Sequence, residues 1–281
     1  MTKIICECAS SHNSDLELLK AMVKSAAENG CDIFKVQDYR AKNVPENDPD
    51  KARYEKYEFK DEWWPEFLKC CKENNIESLT TCFNVDRCKF LAGLGLKKIK
   101  LASISLANAD LLMTAGACFE EVILSTGMAS KEEVEEAIDI LETNAHKFTV
   151  MVCTANYPTS VEDANLERIN TLKRFVEDQE YASVGFSSHA LDTDVPKMAI
   201  AQGIKYLEVH FSLSRYLPQI PHQMYSGGPM VTTHQVSLEP HELNELADWR
   251  DKVELMKGSG EFKINEVEQA IKSKYQNRYG L

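Results

Sequence analysis

Residues 183–212 read SVGFSSHALDTDVPKMAIAQGIKYLEVHFS and hold one complete strand–helix–strand unit. Two short apolar runs, SVGFSSH at 183–189 and YLEVHFS at 206–212, bracket a stretch that suits a helix. A strand followed by a helix and another strand pairs in parallel through a right-handed crossover. Six runs of the same kind precede this unit: KIICECA from Lys3, IFKVQDY from Ile33, IESLTTC from Ile76, KKIKLAS from Lys97, EEVILST from Glu120 and KFTVMVC from Lys147. Helical patterns with Lys and Glu on their exposed positions fill the intervals. Eight such units in strict alternation can close on themselves, so the sequence predicts a (β/α)8 TIM barrel of the α/β class, a single domain over residues 1–260. Residues 261–281 read as a C-terminal helical tail.

Capping chemistry agrees with this division. Asn13-Ser14-Asp15, Ser130 and Asn165 each precede a helical pattern and offer side-chain acceptors to its free N–H groups, while Gly30 stands where the first helix should stop. An open doubly wound sheet is the structural alternative, but neither GxGxxG nor GxxxxGKS/T follows the first strand. Two connections are unusually long, 40–60 and 214–236. Both follow strands, which in a barrel places them on the active face.

The chain has 281 residues, of which 43% are hydrophobic and 27% charged, ordinary values for a globular protein with a sizeable core. Its net charge of -12 argues against nucleic acid or an anionic membrane surface as a partner. An anionic substrate would therefore need a locally basic pocket. Nine cysteines, at 6, 8, 31, 70, 71, 82, 88, 118 and 153, form no pair of CxxC motifs and are read as free thiols in a reducing compartment. With no secretory leader and no apolar run long enough to span a bilayer, a cytoplasmic location is expected.

Both faces of a parallel barrel strand are covered, so polar residues in the runs are informative. By the two-residue period, Lys35 and Gln37 oppose Phe34 and Val36, Ser187 and His189 oppose Val184 and Phe186, and Glu208 and His210 oppose Leu207, Val209 and Phe211. Glu7 and Thr81 break their apolar runs in the same way. If the apolar sides pack on helices, the polar sides converge inside the barrel near its top. His189 and His210 would then end adjacent strands about 4.8 Å apart, a spacing that suits one divalent metal. Hydrogen-bonded core histidines are the plainer alternative. Glu208 would either complete the metal's surroundings or pair with a lysine. Lys35 and Lys100, with hydroxyls from Thr81, Ser103, Ser125 and Ser187, describe a pocket for phosphate or carboxylate, against the alternative of a buried Lys35–Glu7 pair. A Schiff-base lysine is less attractive beside metal ligands. His12, His222, His234, His146 and His241 carry weaker signals, and Trp63, Trp64 and Phe67 read as packing.

In chain order these residues resemble the sialic acid synthase family, the phosphoenolpyruvate-dependent synthases of N-acetylneuraminate and related nonulosonic acids. The resemblance covers most of the chain. It lies in ECASSHNSD from Glu7, FKVQDY from Phe34, LTTCF from Leu79, KLASISLANADLL from Lys100, LSTGMAS from Leu124, CTANYPTSVEDANL from Cys153, GFSSH from Gly185, LEVHFSL from Leu207 and SLEPHEL from Ser237. It implies condensation of phosphoenolpyruvate with the aldehyde of an open-chain N-acylated amino sugar, with release of phosphate. On matching positions it implies phosphoenolpyruvate contacts at Lys35, Thr81, Lys100, Ser103, Ser125 and Ser187, and a divalent metal (Mn2+, Mg2+ or Co2+) on His189 and His210. Sugar contacts would come from Gln37 and Tyr157, with Glu7 as the acid of the first strand. A homodimer is the assembly the resemblance suggests.

The departures fall mainly on the acceptor side. Ser105 stands where the family has an acid, Val152-Cys153 where it has HC, Ser187-Ser188-His189 where it has SDH, and Thr232-Thr233-His234 in place of the GPDH segment. The C-terminal antifreeze-like domain that family members usually carry is expected to be missing. The donor and metal half is kept and the acceptor half altered. A related barrel lyase or aldolase acting on a sugar acid, and a non-catalytic barrel binding a sugar or phosphate ligand, are the other two readings.

Overall fold

The computed structural model describes residues 1–223, 228 and 230–279. Eight parallel strands close into a barrel in chain order, each hydrogen-bonded to its sequence neighbours and the last to the first. They are β1 (Lys3–Glu7), β2 (Ile33–Asp38), β3 (Glu77–Cys82), β4 (Lys98–Leu101), β5 (Glu121–Ser125), β6 (Phe148–Cys153), β7 (Ala182–Ser188) and β8 (Tyr206–His210). Around them run α1 (Leu16–Glu28), α2 (Lys51–Tyr57), α3 (Trp64–Glu73), α4 (Val85–Gly93), α5 (Ala109–Cys118), α6 (Lys131–Asn144), α7 (Arg168–Phe175), α8 (Asp194–Ala201) and α9 (Pro240–Lys257), and α10 (Glu266–Tyr279) follows, exposed over 266–278. The single-domain barrel read from the strand spacing is the observed fold.

Local chemistry sets most of the helix ends. Asp15 accepts from the N–H groups of Glu17 and Leu18 to start α1, and Ser130 with Glu133 forms a reciprocal capping box on α6. Gly30, at φ +85°, takes the left-handed turn after α1. Asn165 does not cap a helix as expected. It sits in the left-handed conformation at φ 42° after the turn Glu162–Ala164, a conformation Asn tolerates, and α7 begins only at Arg168. The segment 40–60 is not a plain loop, because it contains a turn of 3-10 helix, Ala41–Asn43, and α2. The segment 214–236 contains a two-residue antiparallel pair, His222–Gln223 with Met230–Val231. Residues 224–227 and 229 of that segment lie outside the described residues, as do Gly280 and Leu281 of the expected tail.

The pleat divides each strand as the two-residue period requires. Ile4, Cys6, Phe34, Val36, Leu207 and Val209 join the large core between strands and helices. Ile5, Ile33, Leu79, Ile123, Met151 and Tyr206 form a separate cluster inside the barrel. Gly185 completes this layer by omission, since a Cβ there would stand 2.8 Å from the backbone oxygen of Tyr206. The apolar layer separates two polar ends. Among the described residues no helix is long and apolar enough to cross a membrane, and all nine cysteines are free thiols.

The N-terminal end of the barrel is closed by Glu121, which accepts from the Lys205 ammonium (2.7 Å), the Tyr206 hydroxyl (3.0 Å) and the Thr149 hydroxyl (3.0 Å). Burial works against its charge, but Lys205, Thr149 and Lys98 together hold its pKa below the ordinary 4.5. A depressed folded value contributes stability above the unfolded pKa that is lost as pH falls through the folded one. Glu121→Gln is therefore expected to lower unfolding stability by about 2 kcal/mol at neutral pH. The difference from the parent should shrink as urea midpoints are followed down through pH 4.5 and below. Equal loss at all pH values would show that shape rather than charge is what Glu121 supplies.

Candidate active site

The opposite end, at the C-terminal edges of the strands, opens into a cavity of about 800 Å3, within the size range of small-molecule sites. Every residue singled out from the sequence lines it: Glu7, Lys35, Gln37, Thr81, Lys100, Ser103, Ser125, Tyr157, Ser187, His189 and His210. Strand register assembles them. Glu7 of β1 is level with Lys35 of β2 and with His210 of β8, Thr81 of β3 with Lys100 of β4, and Ser187 of β7 with Glu208 of β8.

The floor is a buried charge cluster. Lys35, 2% exposed, contacts the Glu7 carboxylate, donates to the Thr81 hydroxyl at 2.9 Å and faces Glu208 at 3.5 Å. Lys100, 3% exposed, donates to the Ser125 hydroxyl at 2.6 Å and faces the other Glu208 oxygen at 3.7 Å. Two ammonium groups and two carboxylates thus share one buried floor, and their charges cancel. Burial pulls the Lys35 pKa down to about 8 against the upward pull of Glu208. Burial also penalises the Glu208 carboxylate, yet Lys100 and Lys35 hold it below its usual range. The buried Lys35–Glu7 pair and the polar pocket, weighed as alternatives from the sequence, are both present. Glu208 pairs with the two lysines.

Beside this floor stand two imidazoles, their ring centroids 5.4 Å apart. His189 Nδ1 lies 2.9 Å from the Thr154 carbonyl, which can only accept, so the proton is on Nδ1 and the Nε2 lone pair faces inward. Tyr157, stacked on that ring at 3.9 Å, donates its hydroxyl to Nε2 at 2.7 Å. His210 is 5% exposed and its Nδ1 is buried with no hydrogen-bond partner. Burial holds His189 neutral, with its pKa down to about 4, and pushes His210 well below its ordinary value, where the neighbouring His189 ring and the Lys35 and Lys100 charges push too. Neutral imidazole is the form that binds metal. The donors present, two neutral imidazoles and a Glu208 Oε2 that faces Lys100 but accepts no hydrogen bond, fit a divalent cation that takes its remaining bonds from substrate and water. No group of three or more His, Cys, Asp or Glu among the described residues is placed to hold one alone.

Ser105, at the position of the missing acid, is buried and does not line the cavity. The Thr233 side chain lies outside the described ones. His12 is buried against Phe59 and Trp63, a packing role.

Two features went unnoticed in the sequence. Asp38, fully buried at the end of β2, is held by Arg87 at 2.7 Å and Arg40 at 3.4 Å, and both arginines also reach Asp61, tying down the segment after β2. An acid on the side of β2 that carries Phe34 and Val36 was the available signal. The second is Arg53, which reaches the cavity from α2.

Comparison with known proteins follows the same geometry. The NeuB family pattern matches residues 22–262. The chain belongs to the NeuB family. It is 32% identical to the N,N'-diacetyllegionaminic acid synthase of Campylobacter jejuni, over 95% of this chain and 81% of that one, and 30% identical to the synthase of the same name from Legionella pneumophila, over 96% and 77%. Among solved structures it is similar to the N-acetylneuraminic acid synthetase of Leptospira borgpetersenii in complex with citrate, with a TM-score of 0.86 and 28% identity over 99% of this chain and 92% of that one. NeuB membership thus agrees with the family resemblance carried by the strand-end motifs.

Proposed function

We propose that this NeuB-family barrel condenses phosphoenolpyruvate with the aldehyde of an open-chain N-acylated amino sugar, forming a nonulosonic acid and releasing phosphate. The observation that carries the reading is the meeting of a two-lysine, hydroxyl-lined floor with two neutral imidazoles in one cavity. The relatives' activity supports it, since two of them are named as N,N'-diacetyllegionaminic acid synthases.

In this reading Lys35, Lys100, Thr81, Ser103, Ser125 and Ser187 bind the phosphate and carboxylate of the donor and orient it. Glu7 and Lys35, in contact, hold a proton between them at the floor. Gln37 and Tyr157 face the sugar. His189 and His210 would hold a divalent cation, Mn2+, Mg2+ or Co2+, which supplies Lewis-acid polarisation of the aldehyde. C3 of the donor bonds to the aldehyde carbon, whose oxygen becomes a hydroxyl. Water adds at C2, and the tetrahedral intermediate expels phosphate to leave a 2-keto acid. Both lysine amines are engaged by carboxylates and hydroxyls, which favours electrostatic work over a Schiff base.

The test is phosphate release from phosphoenolpyruvate with Mn2+ and a panel of N-acylated amino-sugar aldehydes. Release should need both the cation and an acceptor and should stop with a chelator. Release without an aldehyde, or none with any member of the panel, overturns the reading. Pyruvate formed from a nonulosonic acid without free phosphate would mark a lyase instead.

A further inference from the structure

The cations of the cavity floor are all matched by acids, and so are the arginines that fasten its rim. Lys35 and Lys100 face Glu7 and Glu208, and Arg40 and Arg87 are taken by Asp38 and Asp61. Arg53 is different. Its side chain lines the cavity, its Nε is buried with no hydrogen-bond partner, and its guanidinium rests 5.8 Å from the centroid of the Tyr54 ring. Asp50, one turn earlier, lines the same cavity and accepts from the Arg53 backbone N–H at 2.9 Å. No carboxylate among the described residues pairs with the Arg53 guanidinium.

Among the described residues Arg168, Arg174 and Arg278 also make no ion pair, but none of these lines the cavity, and Arg53 does. Left partly buried and unpaired, it keeps a desolvation cost that only an incoming anion relieves. Its position also matters. Arg53 comes from the segment that leaves the top of β2, whereas the floor lysines come from the strands themselves. Its charge is felt by Tyr157, which covers His189, and by His222. It therefore acts on the part of the cavity where Tyr157, His222 and Tyr39 stand. A three-carbon donor fills only a fraction of about 800 Å3, so this part belongs to the second substrate.

We propose that Arg53 binds an anionic substituent, phosphate or carboxylate, carried by the acceptor sugar, and so determines which acceptor is taken. This rests on the condensing reading above. A planar five-donor fork is suited to bidentate contact with either group, and in a protein of net charge -12 such an acceptor would otherwise be repelled.

Equilibrium binding separates this from the reaction itself. The probes are N-acetylmannosamine, its 6-phosphate and the corresponding uronate, measured by calorimetry on the full chain and on Arg53→Ala and Arg53→Lys. The parent protein should bind at least one charged sugar about 10- to 100-fold more tightly than the neutral one. Arg53→Ala should bring that ratio to about one, and Arg53→Lys, which keeps the charge but not the fork, should fall between and rule out simple misfolding. Whichever charged probe shows the larger ratio identifies the anion. Equal affinity of the parent for charged and neutral sugars overturns the proposal. So does a loss in Arg53→Ala that extends by the same factor to phosphoenolpyruvate, since Arg53 would then serve the donor. If Arg53-dependent binding is found but no sugar supports phosphate release, the condensing reading fails and the anion site stands. If phosphate is released with a neutral sugar and the charged probes gain nothing, the reverse holds.

Discussion

Lys100→Met should lower kcat/KM for phosphoenolpyruvate by about 10^2- to 10^3-fold, the loss typical of removing one preorganised donor from a site of developing charge. The floor of the cavity is balanced in charge. Glu7, Glu208, Lys35 and Lys100 are each nearly inaccessible and cancel in pairs. Without Lys100 the floor carries one net negative charge, so a donor bearing both phosphate and carboxylate enters against repulsion as well as without a hydrogen bond. Ser125→Ala removes only the hydroxyl that receives the Lys100 proton, at 2.6 Å, and leaves the charge. It should therefore cost far less, about 10-fold. Stability should respond too, because breaking a buried pair by deleting one partner costs about 3 kcal/mol. Urea midpoints and donor KM, measured on both variants, check the two effects separately. Normal donor affinity in Lys100→Met would remove this lysine from the donor site and leave it as barrel architecture.

The fold was legible because its signals are local. A two-residue period in SVGFSSH and YLEVHFS states which side of each strand faces the helices, and it needs no knowledge of the partner strand. The inward set of Glu7, Lys35, Gln37, Thr81, Ser187, His189, Glu208 and His210 followed from that period, and closure of the barrel brought it to one cavity. What stayed hidden depends on tertiary placement. Asp38, Arg40, Asp61 and Arg87 meet only after the segment beyond β2 folds back over the barrel. Arg53 lies in a stretch without period, where nothing in the sequence tells an exposed arginine from one aimed into a pocket. Asn165 misled for a local reason: the same short amide that caps helices also tolerates the left-handed conformation, and here the second use prevailed.

His210→Ala distinguishes the two readings of the histidine pair. A core imidazole of ordinary structural use would have its ring nitrogens satisfied, and its loss would cost stability alone. His210 Nδ1 instead is buried without a partner, a state that costs free energy unless something else binds there. His189 shows the complementary half of the design, with Nδ1 anchored to Thr154 so that Nε2 is directed inward. If the pair holds a cation, removing one of two protein ligands should weaken Mn2+ binding by at least about 100-fold, more than the loss of a group that only orients a ligand. Cation-dependent phosphate release should disappear with it. Tyr157→Phe supplies the contrast, since it frees His189 Nε2 from the 2.7 Å hydroxyl contact and should leave Mn2+ affinity equal or higher. Mn2+ titration followed by electron paramagnetic resonance reads both variants without depending on turnover. Unaltered Mn2+ affinity in His210→Ala, with only a lowered melting temperature, would return both histidines to the core.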